Sequence, residues 1–278
     1  RPLRHYSAAQ QSIMINSLRK LFRPQPALPK AAIPPGERVY AVGDIHGRRD
    51  LFDALIGAVE ADDRDRGEAD TTIVLLGDLV DRGADSAGVI ASARALQERR
   101  KVRIIHGNHE EMFLQCFDDL ELLRHFLRFG GRETILSYPL DILQWNDATL
   151  EEAQLLMREI VPAADIAFMR SFEDTIAIGD YLFVHAGIAP GIPADQQKPS
   201  DLRWIREPFL SFTGNHGFVV VHGHTIKDEP VFRLNRIGID TGAYASGRLT
   251  ALGLEGTERW LIETHEEDGV ISIATRPA

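Results

Sequence analysis

Apolar positions along this chain follow two alternating rhythms. From Glu37 onward, short continuous apolar runs give way to stretches whose apolar residues recur every three to four positions, the pattern of strand, loop and helix. Residues 38–42 form the first run, and Leu51, Leu55, Ala58 and Val59 then share one helical face. Residues 71–76 are the second run, followed by a helix bearing Val89, Ile90, Ala93 and Leu96, and residues 102–105 are the third. This β-α-β-α-β order favours parallel strands joined by right-handed crossovers. Residues 109–171 read as mostly helical, with no convincing strand. From Ile176 the chain turns β-rich, with strands expected over 181–184, 218–221, 231–234, 249–254, 259–262 and 270–273. Their Gly-rich turns suggest antiparallel additions. The acidic run over 60–70 reads as a solvated loop.

Residues 1–36 stand apart, holding six of the fourteen prolines. They read as a Pro-rich tether outside the fold. A short helix over 13–22 fits the pattern but is no signal peptide. Its apolar run is broken by Asn16, Ser17, Arg19 and Lys20, and no small-residue cleavage site follows. Arg1 opens the chain and Met14 is a candidate natural start, which leaves the origin of residues 1–13 open. Residues 37–278 are expected to form one domain, with 111–171 a helical insertion.

Composition narrows the class. The chain has 278 residues, 44% apolar and 26% charged, ordinary for a globular protein and enough for a sizeable core. No stretch reaches the ~18 consecutive apolar residues of a membrane span. Thirty-one basic residues against 41 acidic ones give a net charge of −10. That balance argues against non-specific binding to nucleic acid or an anionic membrane. The single cysteine, Cys116, excludes an internal disulfide and any Cys-rich zinc site; amid Met112, Phe113 and Phe117 it reads as core. A reducing cytoplasm is the simplest compartment.

The chemistry sits where apolar runs end. Five of them finish in metal-capable side chains: Gly43-Asp44-Ile45-His46, Gly77-Asp78-Leu79-Val80-Asp81-Arg82-Gly83, His106-Gly107-Asn108-His109-Glu110, His185-Ala186-Gly187 and His222-Gly223-His224. Ligands of open α/β sheets bind beyond the carboxyl ends of strands, so five such ends would converge on one site. Oxygen and nitrogen donors without thiolate suit Mn²⁺, Fe or Zn²⁺ in an open catalytic centre. Asp44, His46, Asp78, Asn108, His185 and His224 are too many ligands for one tetrahedral ion, whereas two ions sharing Asp78 use them all. Such a pair suits in-line displacement at phosphorus. Around this set, His106 and His222 read as packing residues, Glu110 as a favourable helix start, and Asp240 as a buried turn acid.

These blocks resemble the signatures of the phosphoprotein phosphatases within the calcineurin-like metallophosphoesterases, in their bacterial and phage serine/threonine form. The resemblance extends through Gly130-Gly131, Thr134, Ser137-Tyr138, Trp204-Ile205-Arg206 and Ile239-Asp240-Thr241-Gly242, over about residues 37–256. It implies an α/β fold with α+β features, in which two mixed sheets pack as a sandwich flanked by helices around the β-α-β-α-β metal-binding core. It implies that Asp44 and His46 hold one metal, Asn108, His185 and His224 a second, and that Asp78 bridges them, Mn²⁺ being the expected ion. A metal-bridging hydroxide would attack directly, without a phosphoenzyme. His109 would protonate the leaving alkoxide, Asp81 would orient His109, and Arg82 and Arg206 would clamp the phosphate. Symmetrical diadenosine tetraphosphate hydrolases are a neighbouring branch that typically lacks an Asp at the place of Asp81 and carries Asp where Glu110 stands. Both residues therefore favour phosphate monoesters on proteins, with diadenosine tetraphosphate or another small phosphoester as the alternative substrate, and an inactive phosphopeptide-binding scaffold as the second alternative. No regulatory-subunit tail is evident.

Overall fold

A computed structural model describes residues 30–278. Expectations for the tether up to Pro29, the helix over 13–22 included, lie outside the described residues. The β-α-β-α-β unit forms as expected: β1 (Glu37–Val42), α1 (Arg49–Asp65), β2 (Asp70–Leu75), α2 (Ser86–Arg99) and β3 (Val102–Ile104). β1 pairs in parallel with β2, and β2 with β3. Both faces of β1 are covered, which is why it reads as an unbroken apolar run. Tyr40 and Val42 pack against Leu51, Leu55 and Val59 of α1 and Val89 and Ala93 of α2. Val39 and Ala41 point the other way, into a second apolar layer. Asp85 caps α2, its Oδ1 accepting the Gly88 N–H at 2.9 Å.

That second layer lies between two sheets. β9 (Thr250–Glu255), β10 (Glu258–Glu267) and β11 (Val270–Pro277) add antiparallel to β1, giving the order β11-β10-β9-β1-β2-β3. The other sheet runs β4-β5-β6-β8-β7, from β4 (Thr175–Ile178), β5 (Tyr181–Val184), β6 (Val219–His222), β7 (Val231–Phe232) and β8 (Arg236–Gly238). Val74, Leu252 and Leu254 of the first sheet meet Ile176, Phe183, Val221 and Ile237 of the second. The sandwich and its flanking helices are thus those the sequence led us to expect. The antiparallel expectation holds for β9–β11, but β5, β6 and β8 run parallel. The chain between β5 and β6 is long enough to cross over, and it carries α9 (Pro199–Trp204) on the way.

Residues between β3 and β4 build the helical insertion: α3 (Asn108–Gln115), α4 (Leu120–Phe126), a kinked turn over Leu127–Gly131, α5 (Arg132–Leu136), α6 (Ile142–Asp147), α7 (Leu150–Ile160) and α8 (Ala163–Arg170). It has its own core of Phe113, Cys116, Leu123, Phe126, Ile135, Trp145 and Met157. A short α10 (Ala243–Ser246) precedes β9. Among the described residues, no helix is long and apolar enough to cross a membrane.

One boundary differs from the sequence reading. Residues 31–36, expected in the tether, belong to the folded unit that begins at Ala31. Ile33 is buried in the sandwich layer, its N–H donates to Gly256 O at 2.8 Å, and the Ala32 N–H donates to Asp180 Oδ2 at 2.9 Å. The segment passes Gly179, where a Cβ would stand 2.3 Å from Ala32 O, and turns into β1 at Pro35 and Gly36, where the Glu37 N–H donates to Pro34 O at 3.1 Å.

Candidate metal centre

The five strand ends converge. Asp44 and His46 follow β1, Asp78 to Arg82 follow β2, Asn108 and His109 open α3 after β3, His185 follows β5, and His224 lies two residues past β6. Among the described residues, six non-glycine positions have positive φ, and five of them are His46, Asp78, Asp81, Arg82 and His224. Each such conformation costs on the order of 1–3 kcal/mol and persists only where surroundings over-determine it. Glu110 supplies much of that constraint. Completely buried, its carboxylate accepts the backbone N–H of Gly107 and Asp78 on one oxygen, at 3.0 and 2.9 Å. The other oxygen takes those of Leu79 and Val80, at 2.7 and 3.3 Å. The sequence reading of Glu110 as a helix start understates it, because three of its four partners lie in the Asp78 loop.

Asp78 is the hub. Its Oδ2 lies 3.4 Å from His185 Nε2, 3.5 Å from His46 Nε2 and 4.0 Å from His109 Nε2. Its Oδ1 accepts the His109 N–H at 3.0 Å. Backbone carbonyls fix two imidazoles: His46 Nδ1–H donates to Val80 O and His185 Nδ1–H to Leu76 O, both at 2.8 Å. Their Nε2 atoms thereby face the centre. Asn108 Oδ1 lies 2.9 Å from His185 Nε2 and 2.8 Å from His224 Nδ1. Asp44 Oδ2 accepts the His224 N–H at 2.9 Å, while its Oδ1 is buried with no partner.

All six expected ligands thus meet. The donors within 4.8 Å of one another fall into two groups, His46, Asp78 and His109, and Asp78, His185 and His224. Asp78 belongs to both. The first group contains His109 where the resemblance gives Asp44; His109 Nδ1 bonds Asp81 Oδ2 at 2.5 Å, which turns its Nε2 to the centre. Asp81 is in turn fixed by Thr134, whose hydroxyl donates to Oδ1 at 2.6 Å, and by Ser86 and Thr134, which both accept its N–H.

The electrostatics favour added positive charge. Burial, and then the neighbouring Asp240, push the Asp44 carboxyl well above the usual carboxylate range. Burial alone would lower the His185 imidazole, but the Asp78 charge overcomes it and pushes His185 up to about 10. Burial opposes protonation of His109 too, and is outweighed by the Asp78 and Asp81 carboxylates. Burial holds His46 and His224 down at about 3, neutral as ligating imidazoles must be, so buried carboxylates beside such imidazoles, with one carboxylate oxygen left unpartnered, fit divalent cations.

Arg82 lies within the site, half-buried, with Nη1 2.9 Å from His46 Nε2 and Nη2 3.1 Å from His109 Nε2. Arg206 stands at the exposed rim, its Nη2 3.5 Å from His224 O. Two aromatic residues flank the site. The Tyr244 ring lies edge-on to His46 at 5.5 Å and under the Arg82 guanidinium at 4.8 Å, and Trp204 lies 6.4 Å from His224. The sequence reading passed over Tyr244, since nothing in Gly-Ala-Tyr-Ala distinguishes a site residue from a surface turn. His222 is buried against Phe209 and Asp240 accepts the Gly242 N–H at 2.9 Å, so both are the packing and turn residues expected.

Comparison with known proteins agrees with this geometry. The family model for the calcineurin-like phosphoesterases matches residues 37–272. The chain is 26% identical to the asymmetrical bis(5'-nucleosyl)-tetraphosphatase PrpE of Anoxybacillus flavithermus, over 76% of this chain and 88% of that one. It is 27% identical to serine/threonine-protein phosphatase 1 of Salmonella typhimurium, over 83% and 98%. Among solved structures, one of a putative diadenosine tetraphosphatase shares the fold at a TM-score of 0.55 and 23% identity, covering 88% of this chain and 98% of that one. A cold-active protein-tyrosine phosphatase of Shewanella gives 0.52 and 19%, covering 87% and 83%.

Proposed function

Because the chain belongs to the calcineurin-like phosphoesterase family, and is therefore a hydrolytic metallophosphoesterase, we propose that it cleaves phosphate monoesters on protein serine or threonine. The observation that carries this reading is the His109–Asp81 pair at 2.5 Å, because a serine alkoxide leaves only with a proton. Two divalent ions, with Mn²⁺ first and Fe or Zn²⁺ as alternatives, would be held by Asp44 and His46, by Asn108, His185 and His224, and jointly by Asp78; bound there, they would acidify a water and neutralise charge on phosphorus.

The remaining work belongs to side chains of this chain. Arg82 and Arg206 bind the non-bridging phosphate oxygens, where a planar guanidinium matches two acceptors at once. Asp81 holds His109 Nδ1–H, so Nε2 is the nitrogen that delivers a proton to the leaving oxygen. Asp81 also stabilises the imidazolium before transfer. Thr134 and Ser86 keep Asp81 from rotating away.

A second reading, hydrolysis of dinucleoside tetraphosphates, is favoured by several relatives being named bis(5'-nucleosyl)-tetraphosphatases and by the exposed rings of Trp204 and Tyr244, which suit a nucleobase. Side-by-side turnover of a phosphoserine peptide and diadenosine tetraphosphate separates the two. We expect a higher kcat/KM for the peptide. His109→Asn should cost at least about tenfold more on the peptide than on p-nitrophenyl phosphate, whose leaving group needs no proton. A preference for diadenosine tetraphosphate would overturn the first reading, and equal losses on both esters would remove His109 as the acid.

A further inference from the structure

Arg236, on β8 and outside every block read from the sequence, is a buried arginine with no carboxylate of the described residues within ion-pair distance. Buried charges are ordinarily paired, since desolvating an ion costs several kcal/mol. Here the two Nη atoms reach other partners, while Nε is buried with none among the described residues. Nη2 donates to Leu210 O at 3.0 Å, and Nη1 lies 3.4 Å from His222 Nε2. The cation lies 5.9 Å from the centroid of the Phe209 ring. The preceding residue acts on the same segment, as Asn235 Nδ2 donates to Phe212 O at 2.8 Å and Gly214 O at 2.9 Å.

The segment so held is the one that begins with Arg206. Leu210 N–H donates to Arg206 O at 2.8 Å, closing a turn whose far side Arg236 grips. Phe209, inside the turn, is fully buried and lies edge-on to His222 at 5.1 Å. It also fills the space over Gly187, where a Cβ would come within 2.3 Å of the ring. His222 stands two residues before His224, and Gly187 two after His185. One cluster therefore ties two metal-side strand ends to the base of the Arg206 turn.

We propose that Arg236 is a positioning residue for phosphate binding, anchoring the turn that aims Arg206 at the substrate. The proposal rests on Arg206 being a phosphate clamp. Arg206→Ala, Arg236→Met, Arg236→Lys and the Arg206→Ala/Arg236→Met double variant are compared by KM for p-nitrophenyl phosphate, inhibition by inorganic phosphate, bound metal and Tm. Arg206→Ala and Arg236→Met are each expected to raise KM and weaken phosphate inhibition by about tenfold, with metal content unchanged. Arg236→Lys should recover only part, because an ammonium cannot serve Leu210 O and His222 together. The double variant should be no worse than Arg206→Ala, as expected of residues acting through one another. A fall in Tm with unchanged KM and phosphate inhibition, or losses that multiply in the double variant, would overturn the proposal. Wild-type behaviour of Arg206→Ala would instead fail the clamp reading, and the anchor with it. Should Arg236→Met not fold, Asn235→Ala is judged by the same criteria.

Discussion

Glu110 carries the largest hydrogen-bond load of any single side chain around the centre, and its neighbours make the load directional. Each carboxylate oxygen accepts two backbone N–H groups, so Glu110→Gln must set an amide NH₂ against two donors. Such a mismatch leaves buried donors unpaired at roughly 1–3 kcal/mol each. Chemical denaturation should find the variant less stable by about 2–4 kcal/mol, and metal titration should find it binding more weakly. A variant as stable as wild type would mean water or relaxation replaces the carboxylate. At this scale the residues expected as ligands stood out in the sequence, because Gly-Asp-x-His and Gly-Asn-His place donors beside glycines at strand ends. Their supports were not. Glu110, Thr134 and Arg236 meet their partners across 14 to 53 positions, and a side chain's partner at such range has no local signature.

At the scale of elements, the helical insertion reaches the site through the kink before α5. Gly130 has φ of 104°, its carbonyl accepts the Arg82 N–H at 2.9 Å, and a Cβ there would lie 2.6 Å from Arg82 Cγ and 2.8 Å from Arg82 N. Gly130→Ala should therefore displace Arg82, raising KM for phosphate esters several-fold while bound metal is unchanged. Equal KM values in the two proteins would show that the kink yields instead. The long apolar runs of β1 and β2 were readable because both their faces are buried. β8 was not, because Arg236-Ile237-Gly238 is too short to show a period and draws its stability from β6 and β7. Parallel pairing of β5, β6 and β8 was equally hidden, since direction depends on the path of connections rather than on the strands.

For the whole molecule, the decisive property is a carboxylate-rich centre buried at the carboxyl ends of strands from both sheets. Asp44, Asp78 and Asp240 are all shielded from water, so ions binding there should stabilise the native state. Adding Mn²⁺ to about a hundredfold over its dissociation constant should stabilise by about 2.7 kcal/mol and raise Tm by about 5–10 °C. Chelation should abolish turnover, and Asp78→Asn should remove both effects. Elemental analysis should find two ions per active chain; a single ion in fully active protein would refute the paired centre. The sandwich was foreseeable only through family likeness. Alternation along strands identified their buried faces, but not which sheet would cover which.

The order of strands has a consequence for biosynthesis. β1 is made early, yet its neighbour on one side is β9, so that Arg38 pairs with Glu255. A ribosome must deliver more than two hundred residues before that side of the strand is closed. Meanwhile β1 offers a row of open amides and carbonyls beside the apolar surface of β2, the arrangement other nascent chains can join. The acidic excess of the sequence works against such encounters by mutual repulsion. Slowing translation across β9 would lengthen the vulnerable interval, and a nascent chain halted before Thr250 would keep its central sheet open to its neighbours.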